Sequence, residues 1–318
     1  MKKFLAMMLA VLMLLSMATV AFADDNPTPS QTGNSNTVVA NGGSFTLRKV
    51  YTGSAYAPKE TFEFTAVKAN NNPTAEGFTD IVTVTHDPDD TLANSYGKIT
   101  VSLPEYKKVG TYTYAITEDA STTKGLVKDS TSYTLVVQVV NTEDSKFKCE
   151  VYMYKGTPSD KNKVDYFDNA YQYGTLAVSK TVDGFFDQEK AAEYKFTITL
   201  TENTVNNVTY TGKYYKTVDG NLQQDGNTTV NIQPGTNTNI AIKDGQTLKI
   251  EGLPKGAEYT VEETTTLTTV EGHNGTASVT YSPAATDGKV TGTITGTTGE
   301  TSSVSVTNKF EYKGKLVI

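Results

Sequence analysis

Phe45-Thr46-Leu47-Arg48-Lys49-Val50-Tyr51 alternates as a half-buried β-strand should, except that a lysine takes a place in the apolar row. Side chains two apart on a strand point to one side, so Lys49 is aimed inward with Phe45, Leu47 and Tyr51. Farther on, Glu118 falls in phase with Tyr112, Tyr114 and Ile116, and Asn169 in phase with Phe167 and Tyr171. The same order recurs. Lys180 is in phase with Leu176, Val178 and Val182, Glu263 with Tyr259 and Val261, and Asn308 with Val304, Val306 and Phe310. Burying an unpaired ammonium or carboxylate costs several kcal/mol, roughly, even after relaxation. Two ordered trios therefore call for a mechanism.

The remainder of the sequence sets these trios in an all-β frame. Short alternating runs rich in Thr, Val, Tyr and Ile, among them 61–68, 110–118, 132–141, 147–154, 193–201 and 290–295, are separated by turn signals such as Asn70-Asn71-Asn72-Pro73 and Asp219-Gly220. One short stretch, 187–192, has helical character. The pattern predicts β-sandwiches. Leu103-Pro104 leading to Gly110–Glu118 is matched by Leu253-Pro254 leading to Gly256–Glu263, so the chain contains two repeats. The expected domains are 41–172 and 173–312, with each Lys on a first strand and each Asn on a last one. Phase selects Glu263 over Glu262, which points outward with Thr260.

Lys2 and Lys3, the apolar run 4–20 and Ala21-Phe22-Ala23 describe a secretory signal peptide over residues 1–23. Residues 24–40, rich in Asp, Asn, Pro, Thr and Ser, read as a disordered arm. The net charge of −7 and the scattering of basic residues argue against nucleic acid as a partner. Cys149 is the only cysteine, so an internal disulfide is excluded, and it is expected to be a small buried residue of its strand. The two histidines, His86 and His273, fall in different domains and give neither a triad nor zinc spacing. Asp87, Asp89 and Asp90 lack the ligand spacing of a calcium loop and read as an acidic turn. No metal or cofactor is expected, and no conventional enzyme activity.

A lysine amine beside an asparagine carboxamide can form an amide and expel ammonia. Desolvation lowers the lysine pKa and raises that of a carboxyl group, so neutral amine and neutral acid can coexist in a core. The amine is then nucleophilic, and the acid is expected to polarise the Asn carbonyl and move protons to the leaving ammonia. Holding the partners in near-attack geometry removes about 7–11 kcal/mol of barrier. Tyr51, Tyr114, Phe167 and Tyr171 would exclude competing water.

The patterns Leu47-x-Lys49, Tyr114-x-Ile116-x-Glu118 and Phe167-x-Asn169-x-Tyr171, followed by Val178-x-Lys180, Tyr259-x-Val261-x-Glu263 and Val306-x-Asn308-x-Phe310, resemble the isopeptide-linkage domains of streptococcal-type pilins. The resemblance covers about residues 41–312. It implies immunoglobulin-like sandwiches related to the collagen-adhesin B-type (CnaB) domain, in a structural subunit of a Gram-positive pilus shaft at the cell surface. It further implies bonds Lys49–Asn169, assisted by Glu118, and Lys180–Asn308, assisted by Glu263. Other pilin subunits joined by a sortase would be the partners, with a lysine before the last strand of the first domain as acceptor; Lys161 and Lys163 occupy that region. The alternative is a surface adhesin or stalk binding host matrix or carbohydrate. The family's sorting signal is not found in the sequence. Because Leu316 and Ile318 match Leu176 and Val178, residues 313–318 are expected to be the start of a further domain or a truncated tail.

Overall fold

The computed structural model describes residues 37–68, 82–86, 94–144, 146–159, 161–202, 207–295 and 299–313. The signal peptide, most of the amino-terminal arm, the turns at 70–73 and 87–90, and residues 314–318 lie outside these. Among the described residues no helix is long and apolar enough to cross a membrane.

The chain divides into two compact units. The first lies within residues up to 169, and the second runs from 170 onward and takes in 53–58 and 122–127. The first repeat contains β1 (Thr37–Ala40), β2 (Ser44–Thr52), β3 (Glu60–Lys68), β4 (Val82–His86), β5 (Asn94–Ser102), β6 (Gly110–Glu118), β7 (Leu126–Val127), β8 (Tyr133–Asn141), β9 (Phe147–Lys155) and β10 (Tyr166–Tyr171). They form a six-stranded sheet in the order β1-β9-β8-β6-β3-β4 and a four-stranded sheet in the order β5-β2-β10-β7. The second repeat contains β11 (Tyr173–Asp183), α1 (Asp187–Ala191), β12 (Glu193–Leu200), β13 (Tyr210–Val218), β14 (Asn221–Ile232), β15 (Asn237–Lys243), β16 (Gln246–Pro254), β17 (Glu258–Glu263), β18 (Gly275–Ser282), β19 (Lys289–Thr293) and β20 (Glu300–Tyr312). Its sheets run β14-β13-β16-β11-β20-β18 and β15-β12-β17-β19.

Alternation places the core. Phe45, Leu47, Lys49 and Tyr51 are buried on β2, while Ser44, Thr46 and Thr52 are exposed. On β20, Val304, Val306, Asn308 and Phe310 are buried between exposed Ser303, Ser305 and Lys309. One face of each sheet thus turns toward the other, and the second domain closes on Leu176, Phe196, Ile198, Leu248, Ile250 and Val306. β8 and β9 also bury residues on their outer face, where Val136, Tyr152 and Tyr154 make a separate small cluster.

One expectation is corrected. The arm thought disordered through residue 40 ends in an ordered strand: Thr37–Ala40 pair antiparallel with Val151–Lys148 of β9. The polar run 24–36 misled here: it hid the short apolar stretch Thr37-Val38-Val39-Ala40, which pairs on a sheet edge. In consequence β2, which carries Lys49, is the second strand of its domain. β15 lies outside the runs singled out in the sequence; its Asn237-Thr238-Asn239 pair with Thr199–Thr197 of β12.

Phe196 is fully buried at the centre of the second core. Phe196→Ala is expected to cost about 3–5 kcal/mol of stability, read by denaturant unfolding of the second domain.

Candidate functional site

Each trio converges in the core of its own sandwich. In the first domain Lys49 and Asn169 sit on β2 and β10, hydrogen-bonded neighbours in the four-stranded sheet, and Glu118 reaches them from β6 in the facing sheet. Lys49 Nζ donates to Glu118 Oε2 at 2.9 Å, and Asn169 Nδ2 donates to Glu118 Oε1 at 2.6 Å. In the second domain the sheets exchange roles. Lys180 on β11 and Asn308 on β20 belong to the six-stranded sheet, where the two strands pair in parallel with Val182 opposite Asn308. Glu263 enters from β17; Lys180 Nζ donates to its Oε2 at 3.1 Å, and Asn308 Nδ2 to its Oε1 at 2.7 Å. Glu262, one residue away, lies toward the surface and pairs with Lys289.

The environment is dry. Lys49, Asn169, Lys180 and Asn308 are each at most 1% exposed, as are Tyr51, Tyr114, Phe167 and Tyr171 around the first trio. Burial pushes both lysine amines below their ordinary value, and the adjoining carboxylates recover only part of the shift. Each amine also stands over an aromatic face: Phe62 beneath Lys49 at 4.7 Å and Tyr194 beneath Lys180 at 4.5 Å. Both rings were missed in the sequence. Phe62 is the third residue of β3 and Tyr194 the second of β12, and only the packing of facing sheets puts each under its amine.

One expectation about the chemistry is corrected. The carboxyl group meets the carboxamide at Nδ2, not at the carbonyl. A carboxylate can only accept, so it takes the amide N–H and leaves Oδ1 to other donors. In the first domain that donor is the backbone N–H of Asp129, 2.9 Å from Asn169 Oδ1. In the second, buried Asn308 Oδ1 has no partner among the described residues.

Asp129 is held in turn by Tyr133 Oη, by the Thr131 N–H at 2.9 Å and by Lys155 Nζ at 3.2 Å. Burial opposes its charge, but these hydrogen bonds outweigh it and hold the carboxyl at about 2. Arg48 and Asp165 form a bidentate pair at 3.1 and 2.7 Å, and the Arg48 N–H also donates to the Asp165 carbonyl. This fastens β2 to the entry of β10 beside the trio.

Lys161 is exposed, whereas Lys163 is half-buried with its amine 5.3 Å from the Tyr152 ring centroid. The loop bearing them is pinned by Asn162, whose Nδ2 donates to the Lys155 and Thr157 carbonyls and whose Oδ1 accepts from the Ser159 N–H and Oγ. Cys149 is buried, and desolvation pushes its thiol up to about 11, so it is an unreactive core residue. Among the described residues no group of three His, Cys, Asp or Glu could hold a metal ion.

Tandem β-sandwiches, each with a Lys and an Asn on adjacent strands and a Glu from the opposite sheet, define the class. Residues 45–172 match the family model described as the Spy0128-like isopeptide containing domain, FctA, and residues 174–310 match one described as a domain of unknown function, DUF7601. A curated pilin of Streptococcus pyogenes serotype M1 is 27% identical over 161 residues, which is 50% of this chain and 45% of the pilin. The alignment thus spans less than half of that relative's length. The crystal structure of the major pilin from S. pyogenes is 22% identical, with a TM-score of 0.56 over 85% of this chain and 99% of that one. The T-13 major pilin of the same species is 20% identical, with a TM-score of 0.51 over 86% and 98%. Residues 45–172 are thus similar to the Spy0128-like isopeptide containing domain, and the chain has the all-β fold of the streptococcal major pilins. The trio of the second domain stands on its geometry, since the family matched there carries no assigned function.

Asp129 has a carboxyl depressed in the folded state, from 3.8 to about 2. Its contribution to stability is complete above the unfolded value and is lost as pH falls through the folded one. Between pH 3.8 and about 2, the wild type is expected to lose more thermal stability than Asp129→Asn, whose amide does not titrate. Melting curves of both proteins across that interval measure the difference.

Proposed function

We propose that this chain is a shaft subunit of a cell-surface pilus whose two domains are each closed by a self-generated Lys–Asn isopeptide bond. The observation that carries the reading is the bridging carboxyl. In both domains one Glu side chain touches the attacking nitrogen with one oxygen and the leaving nitrogen with the other.

The chemistry follows from that placement. Burial lowers the pKa of each lysine, and a proton passed from Nζ to the adjoining Glu oxygen leaves a neutral amine nucleophile. The amine nitrogen attacks the Asn Cγ, and the carbonyl electrons move to Oδ1. Glu gives its proton to Nδ2 and takes one from Nζ, so it ends as it began. The C–N bond to Nδ2 breaks as the carbonyl re-forms, and ammonia leaves. Phe62 and the surrounding tyrosines exclude the water that would compete with the amine. Each bond forms once, so the protein is a substrate of its own single turnover.

The consequence is mechanical. Covalent closure of a loop of more than a hundred residues adds on the order of 4–5 kcal/mol by the chain-entropy account. Under tension the effect is larger. Force entering at β2 passes through the bond to β10 and bypasses the strand ladders, and the same holds from β11 to β20. Such a domain cannot extend without breaking a covalent bond, which suits a fibre exposed to shear. β1 lies before Lys49 and so outside the closed loop; it can peel while the domain holds.

A shaft also needs junctions. Lys161, exposed on a loop fixed by Asn162, suits the role of acceptor for the next subunit, joined by a sortase, whereas Lys163 is committed to the face of Tyr152. Pilus assembly places the protein outside the cell, at the Gram-positive surface.

Two outcomes test this reading. Denatured mature protein should weigh two ammonia masses less than its sequence, and Glu118→Ala and Glu263→Ala should each restore one. A mass equal to the plain sequence refutes the crosslinks. In the native host, Lys161→Arg should abolish the ladder of covalent polymers on denaturing gels, while Lys163→Arg leaves it.

A further inference from the structure

The two trios differ at one atom. Asn169 Oδ1 receives the Asp129 N–H at 2.9 Å, whereas Asn308 Oδ1, equally buried, has no partner among the described residues. Oδ1 is where negative charge gathers when the lysine adds to Cγ. A donor fixed about 2.7–3.1 Å from a developing oxyanion in a dry site lowers the barrier substantially, because it needs no reorganisation as the charge appears.

We propose, resting on the crosslinking reading above, that the Asp129 backbone N–H is an oxyanion donor for the first bond. Its absence from the second trio makes the first domain close faster than the second. The turn that presents the N–H is built for the purpose. The Asp129 side chain is only 7% exposed and is tied to Tyr133 Oη, the Thr131 N–H and Lys155 Nζ. The Tyr133 ring packs at 4.6 Å on Phe167, the residue two positions before Asn169 on the same face of β10. One ring therefore braces both the donor's turn and the acceptor's strand. The Asp129 carboxylate is a positioning group, and the N–H itself meets the reacting atom.

Both rates are measurable in one chain, so the second domain is an internal reference. The protein is made in a short cell-free pulse and sampled during a chase. After proteolysis, the Lys49–Asn169 and Lys180–Asn308 linked peptides are quantified by mass spectrometry. In the wild type the first bond should form ahead of the second. Replacing the amide at position 129 by an ester exchanges the N–H donor for an oxygen while keeping the side chain, and should slow the first bond by about 10²–10³-fold without changing the second. Asp129→Ala, which keeps the N–H but loosens its turn, should slow the first bond by less, and Asp129→Asn should restore most of the rate. Equal rates for the two wild-type bonds, or an unchanged first bond in the ester protein, overturn the proposal. Absence of both linked peptides from the wild type would refute the crosslinking reading itself.

Discussion

A buried carboxyl held between two nitrogens is the constraint on which each domain depends. Glu118 alone would be a costly anion in an apolar core, and Lys49 alone a costly cation. Together with Asn169 they satisfy one another, and in doing so they align a nucleophile, a proton carrier and an electrophile. The surrounding fold supplies what water would otherwise spoil. Rigid strands hold the three groups on their inward faces, one residue out of phase with the solvent-facing side chains, and burial keeps the lysines below their ordinary pKa.

The two domains reach this arrangement by different sheets. The first puts Lys and Asn on its four-stranded sheet, the second on its six-stranded sheet, and in both the Glu crosses the sandwich. What is kept is the relation among three strands: two neighbours in one layer and one facing strand in the other. That relation is what the chemistry requires, because the carboxyl has to approach the Lys and Asn nitrogens from the interior. Features outside the relation vary freely. The amine of the first trio stands over a phenylalanine, Phe62, and that of the second over a tyrosine, Tyr194.

Much of this was legible in the residues. Period-two alternation in Phe45–Tyr51, Tyr112–Glu118 and Val304–Phe310 gives the strand type, the inward face and the misplaced polar residues together. Phase alone separates Glu263 from Glu262, since a one-residue step on a strand reverses the side. Less was legible at the sheet edges, where short strands lie beside polar stretches of the chain. Thr37–Ala40 and Asn237–Lys243 are held by ladders to β9 and β12, and pairing with a neighbour supplies the stability that their own side chains do not.

The sequence by itself determined that the protein is built of two β-sandwich repeats, each with an inward Lys, Glu and Asn in that order. Alternation and order are properties of the chain alone, so they can be read from it. Only the tertiary structure decided which atoms meet. The Glu carboxyl lies on the amide nitrogen, Phe62 and Tyr194 underlie the amines, and the Asp129 N–H reaches one Asn oxygen but has no counterpart among the described residues at the other. These contacts join residues far apart in the chain across facing sheets or between adjacent strands. Their distances depend on register and sheet packing, which local pattern does not encode.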